Sequence, residues 1–548
     1  MSKIKIFALG GLNETGKNMY VIDVDNEVYI FDAGLKYDND INLGIDYIIP
    51  GFKYISENRD RIQGLFLTHG HESNMGAVKD ILEQDPTIPV YGTHLTLELV
   101  KDNMILALIN KCNFNEIKPH VKISVGSNSL FPISVTHSIP GAVCFVLYTK
   151  DGAVVYTGDY TFDSTMLGDY KTDIGKLAYV GKQGVLCLLS ESTYAARVGH
   201  TSPLDRASDK IREVIARNEN RIIISVSTAH FYRIQEIFDQ IMRTNRKLVI
   251  MGKSLQYLVN RYIDEGYFKF DKSKIGDLSD VETKDIIVLI SDDKDRPFAN
   301  IFKIVRGYDK FIKIKESDTI FITEPSYAGV EKRSAELLDE IAQTGANGIM
   351  LTKKDCLLHH ASSEDLMLMI NLMNPKYYFP VRGEYRDMYA NAEVAEACGM
   401  NKDNIILKLN GEVVEFIDGK LTENKEIIPV EQTLISGNQG EDVGDLVLKD
   451  REMLGENGIV IVSCTVDKNT KAILGGPEIL TRGFIYVKES QDLLEETKGI
   501  CREVIENDIE DNKLDYTKVK NDIRSRLGNF FYNETESKPM IITVVQEV

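Results

Sequence analysis

Residues 65–74 read LFLTHGHESN, an apolar run that passes into a polar loop carrying two histidines. Helical periodicity begins directly after this loop, over residues 75–83, so the stretch predicts a strand, a short loop and a helix. His69 and His71 are separated by a single residue. Two neutral imidazoles in this arrangement can reach one divalent ion at about 2.0–2.1 Å. The stretch therefore predicts a metal site at the end of a buried strand.

The sequence around this stretch alternates between strand-like and helix-like patterns. Short β-branched runs lie at residues 4–9, 19–24, 28–31, 154–157 and 185–189. Such runs, alternating with helical segments, are typical of α/β layers with buried sheets. From about Thr201, regular strand–helix units indicate a compact α/β insertion. Residues 375–381 and 405–409 then resemble core strands that return after the insertion.

The end of the chain is predicted to be a separate unit. Residues 419–442 are polar and contain several asparagines and glycines, which indicates a linker. Strands at 458–466, 483–487 and 540–545, with helices near 493–507 and 516–527, follow this linker. That order predicts a small α+β sandwich.

Length and composition describe an ordinary globular protein with several domains. The 548 residues exceed what one hydrophobic core usually serves, and 43% of them are hydrophobic. No run approaches the roughly 18 apolar residues of a membrane span, and the N-terminus lacks the pattern of a signal peptide. The seven cysteines are scattered without a C-x-x-C pair, which favours reduced thiols. We predict a cytoplasmic protein without a membrane partner.

The net charge of −19 argues against simple nucleic-acid binding, because phosphate contacts depend on Lys and Arg. It does not exclude RNA as a partner, since a local basic groove can coexist with an acidic exterior. Composition alone thus leaves the substrate class open.

Three further segments extend the metal-binding pattern: FDAG at 31–34, THSIP at 136–140 and TGDY at 157–160. Together with the HGH element, they resemble the motifs of the metallo-β-lactamase fold. The resemblance implies an αββα sandwich in which one ion is held by His69, His71, His137 and Asp159. It also implies that Asp32 supports the site from behind without binding metal.

Within this fold, nearly the whole chain resembles the ribonuclease J family. The resemblance rests on GGLNETGKNM at 10–19, LGID at 43–46, SEST at 190–193, RIQ at 233–235, GKSL at 252–255, GGPE at 475–478 and RGF at 482–484. It implies a lactamase domain at 1–200 and 357–418, interrupted by a β-CASP α/β domain at 201–356. A linker at 419–447 and a C-terminal α+β domain at 448–548 complete the predicted order.

Three positions depart from the family pattern. The strand-H-x-H-x-D-H signature has Ser73 and Asn74 in place of its aspartate and last histidine, and the later P-V-H-G-E element has Arg382 in place of its histidine. A hydroxyl and an amide are poor replacements for a carboxylate and an imidazole as ligands of first-row metals. We therefore expect one Zn²⁺ or Mn²⁺ at the first site, with Asp159 also taking part in catalysis, and an empty second site.

The family's H-x-S-x-H-like motif can be aligned in two ways. The ungapped alignment places Cys356 and His360 on its two histidines, whereas a shifted alignment starts the motif at His360 and leaves Glu364 on the second. We prefer the ungapped alignment, in which His360 acts as a general acid. The resemblance implies RNA or phosphate binding by Cys356, Leu357, Leu358, His359, His360, Arg233 and Ser254.

The leading hypothesis is a ribonuclease J-type subunit in RNA processing and mRNA decay, with weak or absent activity of its own. The family acts chiefly as a 5′-to-3′ exonuclease and in some cases as an endonuclease. The resemblance also implies an active paralogue as partner, homodimers or hetero-oligomers, and a place in an RNA degradosome. Two alternatives stay open: a slow single-ion ribonuclease, and a non-catalytic RNA or degradosome scaffold that needs no metal.

Overall fold

The computed structural model describes residues 2–37, 44–201, 207–292, 296–327, 329–353, 360–436, 441–442, 445–485, 490–510 and 513–548. Contacts between Cα atoms divide the chain into two compact units. The first comprises residues 1–40 and 46–440, and the second comprises residues 41–45 and 441–548.

The first unit contains 21 strands and 13 α-helices among its described residues. The strands are β1 Lys3–Gly10, β2 Met19–Val24, β3 Glu27–Phe31, β4 Tyr47–Pro50, β5 Ile62–Phe66, β6 Pro89–Gly92, β7 Asn113–Glu116, β8 Ile123–Val125, β9 Asn128–Ser134, β10 Val143–Thr149, β11 Gly152–Tyr156, β12 Val185–Glu191, β13 Ile222–Val226, β14 Leu248–Ile250, β15 Ile287–Ser291, β16 Thr319–Ile322, β17 Asn347–Met350, β18 Tyr377–Val381, β19 Val414–Ile417, β20 Lys420–Thr422 and β21 Gln432–Ser436. The helices are α1 Lys53–Glu57, α2 Glu72–Met75, α3 Val78–Gln84, α4 His94–Asp102, α5 Leu106–Ile109, α6 Ile174–Gln183, α7 Ser208–Arg217, α8 Phe231–Met242, α9 Lys253–Asp264, α10 Ala299–Val305, α11 Glu331–Gln343, α12 Ser363–Met373 and α13 Tyr385–Ala397.

Two sheets form the centre of this unit. One has the order β20-β19-β1-β2-β3-β5-β6-β7 and the other has the order β18-β12-β11-β10-β9-β8. Apolar side chains of both sheets, including Phe31, Phe66 and Phe145, pack into one cluster between them. Helix α3 buries Ile81 on the outer face of the first sheet, and α12 buries Met369 on the outer face of the second. The predicted αββα sandwich is confirmed.

The inserted α/β layer is a parallel sheet with the order β14-β15-β13-β16-β17. Its central strand β13, IIISV, is buried along its whole length, as expected for a parallel strand covered on both faces. Helices α7, α8 and α9 pack against one face, with Ile234 and Leu255 in the shared apolar cluster. This sheet is the predicted insertion between the two parts of the sandwich.

The second unit contains β22 Glu441–Asp442, α14 Asp445–Asn457, β23 Ile459–Val466, β24 Ile473–Arg482, α15 Gln491–Asn507, β25 Ile509–Glu510, β26 Lys513–Leu514, α16 Tyr516–Thr535 and β27 Met540–Glu547. Strands β24, β23 and β27 form a sheet in that order, and α15 and α16 contribute Cys501 and Phe531 to the apolar cluster on one of its faces. This arrangement is the predicted small α+β domain.

One predicted strand is wrong, and another lies partly outside the described residues. Residues 405–409 make only an isolated bridge, between Ile405 and Tyr378, because the chain leaves the sheet edge directly after it. Of the strand predicted at 483–487, residues 486–487 lie outside the described residues and residues 483–485 are not in a strand; the strand that pairs with β23 lies earlier, at Ile473–Arg482. The domain boundaries stay predictions. Within the range predicted as a linker, β20 pairs with β19 and β21 pairs with β4.

Candidate metal centre

The candidate site lies where several strands end at one edge of the sandwich. Strands β11, β12 and β18 are parallel neighbours, so their carboxyl ends lie at the same edge. Asp159 follows β11, Glu191 is the last residue of β12, and Arg382 follows β18. Strand β9 runs in the same direction, since it and β11 both pair antiparallel with β10, and His137 follows its end.

His69, His71, His137 and Asp159 form a compact group. One ligand atom from each lies within 4.8 Å of the others, and all except half-buried His71 are buried. The three imidazole centroids are 4.6–4.7 Å apart. Asp159 Oδ2 lies 3.5 Å from His69 Nε2, and His137 Nε2 lies 3.1 Å from His71 Nδ1. Three nitrogens and one carboxylate oxygen are a donor set that fits one Zn²⁺ or Mn²⁺.

Asp32 lies behind this group and orients it through hydrogen bonds. Its carboxylate accepts bonds from the Thr68 amide at 2.8 Å, from Asn74 Nδ2 at 2.7 Å and from the Tyr156 hydroxyl at 2.8 Å. The Thr68 hydroxyl also lies 2.9 Å from His69 Nδ1. Burial raises the pKa of the Asp32 carboxyl to about 7, although these donors act in the opposite direction.

Arg382 brings a guanidinium group against Asp159. Its Nε lies 2.5 Å from Asp159 Oδ1, its Nη1 lies 3.9 Å from Glu191 Oε2, and Nη1 also donates to the Thr193 hydroxyl. Its side chain is only 8% exposed. Burial alone would lower the pKa of Arg382, but Asp159 and Glu191 outweigh that effect and raise it. The group is therefore a fixed positive charge.

The backbone around Arg382 is held by three hydrogen bonds. The Ser192 amide donates to the Arg382 carbonyl at 3.1 Å. Gly383 and Glu14 exchange amide-to-carbonyl bonds of 3.1 and 3.3 Å. Arg382 itself has φ 56°, a left-handed conformation that is uncommon for a residue with a side chain. These bonds keep the guanidinium at the strand edge.

Family comparisons agree with the geometry. Four family models match in order: "Metallo-beta-lactamase superfamily" over residues 12–224, "Ribonuclease J, beta-CASP domain" over 219–341, "Zn-dependent metallo-hydrolase RNA specificity domain" over 357–406 and "Ribonuclease J C-terminal domain" over 446–548. Among curated relatives, "Ribonuclease J 2" of Staphylococcus aureus (strain NCTC 8325 / PS 47) is 35% identical over 554 residues, spanning 100% of this chain and 98% of that protein. The chain belongs to the ribonuclease J family.

A second relative and a solved structure extend the comparison. "Ribonuclease J2" of Bacillus subtilis (strain 168) is 36% identical over 549 residues, spanning 100% of this chain and 99% of that protein. A crystal structure of a protein of unknown function from Enterococcus faecalis V583 aligns with a TM-score of 0.54 at 14% identity, over 76% of this chain and 100% of that one. This last likeness shows the fold alone. Among the described residues, no helix combines the length and apolarity needed to cross a membrane.

Two of the three departures from the ribonuclease J pattern lie together beside Asp32. Asn74 is fully buried, and its carbonyl oxygen accepts bonds from Ser73 Oγ at 2.7 Å and from Asn18 Nδ2 at 3.3 Å. Its amide nitrogen donates to Asp32. Ser73 and Asn74, two positions where the sequence predicted lost ligands, are therefore bonded to each other, and Asn74 is bonded to Asp32.

His360, the predicted general acid, lies beside the metal-ligand group. Its Nδ1 is 2.8 Å from Glu191 Oε2, and its ring centroid is 5.3 Å from that of His137. Burial raises the pKa of the Glu191 carboxyl to about 7, with Arg382 acting in the opposite direction. Glu364, the alternative motif position, is exposed on α12 and pairs with His200 at 3.0 Å.

The remaining predicted ribonuclease J residues are in helices of the inserted domain or lie outside the described residues. Cys356, Leu357, Leu358 and His359 fall in residues 354–359, which the structure does not describe. Arg233 is buried in α8, and its Nε lies 3.2 Å from Glu236 Oε2. Ser254 is exposed in the first turn of α9. Phosphate binding by these residues stays a prediction.

Sequence reasoning missed two groups in the site. Thr193 is the last residue of the SEST segment, and its role as partner of Arg382 becomes visible only when β12 and β18 are neighbours. The Ala229 carbonyl oxygen lies 3.1 Å from His71 Nε2. No sequence signal could have indicated this second contact, because every residue carries the same backbone carbonyl group, whatever its side chain.

Proposed function

We propose that this chain is a ribonuclease J-type subunit of RNA processing and mRNA decay that holds one Zn²⁺ or Mn²⁺ and hydrolyses RNA weakly on its own. One observation carries the proposal: Arg382 Nε lies 2.5 Å from Asp159 Oδ1, on a carboxylate that would be one of the ligands of the ion. The guanidinium supplies positive charge there without being able to coordinate water. The chain would act in the cytoplasm, on RNA.

The chemistry of two-metal sites explains why the hydrolysis should be weak. Such sites generate hydroxide and stabilise both the attacking and the leaving oxygen. Arg382 can attract a phosphate oxygen, but it cannot lower the pKa of a water by inner-sphere coordination. Ser73 and Asn74 hydrogen bond to each other, and Asn74 donates to Asp32. The three positions at which the family pattern has ligands for a second ion, residues 73, 74 and 382, therefore have side chains that make hydrogen bonds and an ion pair instead.

The remaining residues support a one-ion role. His69, His71, His137 and Asp159 would hold the ion, which when bound supplies Lewis-acid polarisation of a phosphoryl oxygen. His360 would donate a proton to the leaving oxygen through Nε2, because Nδ1 is the atom bonded to Glu191. Glu191 orients that imidazole, and Asp32 orients His69 through Thr68.

The test is the decay of a 5′-monophosphorylated RNA by the purified chain alone with Mn²⁺. The matched control is the His69→Ala/His71→Ala variant, and the reference is a ribonuclease J with the complete H-x-H-x-D-H signature. We expect a rate far below that of the reference. A rate close to that of the reference would overturn the proposal of weak hydrolysis.

The same assay separates the two remaining candidates. Slow decay that the double variant abolishes supports a single-ion ribonuclease, the candidate favoured by the complete four-residue ligand group. Decay no faster than the double variant supports a scaffold for RNA or for an active paralogue, as a homodimer, a hetero-oligomer or a degradosome component. Metal affinity that His71→Ala weakens would count against a scaffold that needs no metal.

A further inference from the structure

The loop between β13 and α8 of the inserted domain reaches the metal-ligand group. We call this loop and the first two residues of α8, residues 227–232, the β13–α8 segment. Its Ala229 carbonyl oxygen lies 3.1 Å from Nε2 of His71. Its Tyr232 amide donates to the carbonyl of Ser138, the residue after His137, at 2.9 Å. Two loops that carry metal ligands are therefore bonded to one segment of another domain.

The contact with His71 is of the kind that orients a metal ligand. An imidazole binds an ion through one nitrogen, and a partner of the other N–H sets the tautomer and the direction of the ring. His71 Nδ1 faces His137 Nε2 at 3.1 Å inside the ligand group. Nε2 therefore carries the proton that is donated to the Ala229 carbonyl, with the Ser138 hydroxyl as a second neighbour of Nε2 at 3.3 Å.

Apolar packing links the same two regions. Ile139, two residues after His137, and Leu95 of α4 are buried in the apolar cluster of the inserted domain together with Phe231 and Ile234 of α8. Ile139 and Leu95 are each about 1% exposed. A shift of the β13–α8 segment would therefore disturb this packing as well as the two hydrogen bonds.

We propose that the inserted domain is a structural part of the metal site, so that the position of the β13–α8 segment and the affinity for the ion are thermodynamically coupled. This inference rests on the proposed one-ion site. Because such coupling is reciprocal, displacement of the segment weakens ion binding, and ion binding holds the segment in place. RNA or a protein partner that moves the inserted domain would thereby change the ion occupancy of the lactamase core.

The first experiment compares two variants at one position. Tyr232→Pro removes the amide that donates to Ser138, and Pro is tolerated in the first turn of a helix. Tyr232→Ala keeps that amide but, like the proline variant, loses the contact of the ring with Tyr170. The measurement is Zn²⁺ affinity by competition with a chromophoric chelator, with the His69→Ala/His71→Ala variant defining binding elsewhere. We expect Tyr232→Pro to bind Zn²⁺ on the order of tenfold more weakly than Tyr232→Ala.

The second experiment uses the unaltered chain, so it does not depend on how the proline variant folds. Hydrogen–deuterium exchange of peptides covering residues 227–232 is measured with and without Zn²⁺. We expect slower exchange with Zn²⁺, and no such change in the His69→Ala/His71→Ala variant. Equal Zn²⁺ affinities for the two Tyr232 variants, with exchange insensitive to Zn²⁺, would overturn the coupling while leaving the one-ion site intact. If the unaltered chain binds Zn²⁺ no more tightly than the double variant, the one-ion site itself fails, and the coupling fails with it.

Discussion

Arg382 Nε lies 2.5 Å from Asp159 Oδ1, and both side chains are almost completely buried. The two residues follow β18 and β11, which flank β12 on either side, so the pair spans the ends of three parallel strands. Glu191 at the end of the middle strand completes the group at 3.9 Å from Arg382 Nη1. The charge of these two carboxylates is thus partly neutralised by a side chain of the same chain.

Replacement of Arg382 by glutamine should destabilise the first compact unit. The Arg382→Gln change leaves Asp159 and Glu191 buried without their positive partner, for which we expect a loss of about 3–5 kcal/mol in the free energy of unfolding. Urea denaturation measures it. Added Zn²⁺ should restore more stability to this variant than to the unaltered chain, because a second cation can then compensate the carboxylates. The control is Arg386→Gln, whose side chain is 82% exposed and should matter little. Equal losses of unfolding free energy for Arg382→Gln and Arg386→Gln would contradict a stabilising role of Arg382 beside the two carboxylates.

Restoration of the three departed positions should create a two-ion nuclease. The change Ser73→Asp with Asn74→His and Arg382→His supplies the missing ligands around Asp159. A second ion contributes several kcal/mol to transition-state stabilisation, so RNA decay with Mn²⁺ should rise at least about 100-fold. Arg382→His alone should not produce this gain, since the side chains at 73 and 74 still lack ligand chemistry. The same triple change with His69→Ala is the control. A triple variant no faster than the unaltered chain would show that the losses lie elsewhere.

Asn74 should support the surviving ion site through Asp32. Asn74→Leu removes the donor 2.7 Å from Asp32 Oδ2 and weakens the hold on Thr68 and His69. We expect Zn²⁺ affinity to fall on the order of tenfold, measured by chelator competition. Ser73→Ala is the matched comparison, because it removes one donor to Asn74 while Asn18 and the bond to Asp32 remain. If Ser73→Ala weakened binding as much as Asn74→Leu, the path through Asp32 would be refuted.

Arg221 should be the main electrostatic support of the inserted sheet. It is 2% exposed and pairs with buried Asp318 at 2.6 Å, and it also donates to the Val281 carbonyl at 2.8 Å. Arg221→Met leaves Asp318 uncompensated and should cost about 3–5 kcal/mol in the free energy of unfolding of this region. Hydrogen–deuterium exchange of peptides that cover β13 and β16, measured at increasing urea concentrations, reports this loss of stability. Arg217→Met, at a side chain that is 77% exposed, should leave the exchange unchanged.

Glu282 should contribute to the stability of the same domain in a way that is lost at acidic pH. Burial acts to raise the pKa of Glu282, but Lys315 and Arg221 outweigh it and lower that pKa to about 2. A carboxyl with a depressed pKa stabilises the folded state above its unfolded value of 4.5, and this contribution is lost as pH falls toward 2. The stability difference between the unaltered chain and Glu282→Gln should therefore shrink over that interval in urea titrations. A constant difference across it would exclude this role.

Local patterns predicted the order of strands and helices, and the family resemblance predicted the sandwich and the group of four residues that the structure brings together. LFLTHGHESN and the residues after it predicted a strand, a loop with two ligands and a helix over 75–83; β5, the loop and α3 follow that order, and the short helix α2 at Glu72–Met75 lies where loop was predicted. The apolar run at 185–189 predicted a buried strand, which the structure extends to Glu191. These predictions succeeded because strand burial and ligand spacing depend on residues that are close together in the chain. The strand predicted at 405–409 was wrong because an apolar run alone cannot show whether a neighbouring strand is present to pair with it.

The sequence, through its family resemblance, thus predicted the layer order and pointed to the group of His69, His71, His137 and Asp159 that the structure brings together; the loss of second-site chemistry at residues 73, 74 and 382 stays a prediction. Only the tertiary structure decided that Arg382 pairs with Asp159 and Glu191, and that the Ala229 carbonyl meets His71. The physical reason is that both contacts join segments far apart in the chain. The first depends on the parallel order of three strands. The second uses a backbone carbonyl, which is the same for every residue type and therefore cannot be recognised in the sequence. This contact forms only when the inserted domain packs against the sandwich.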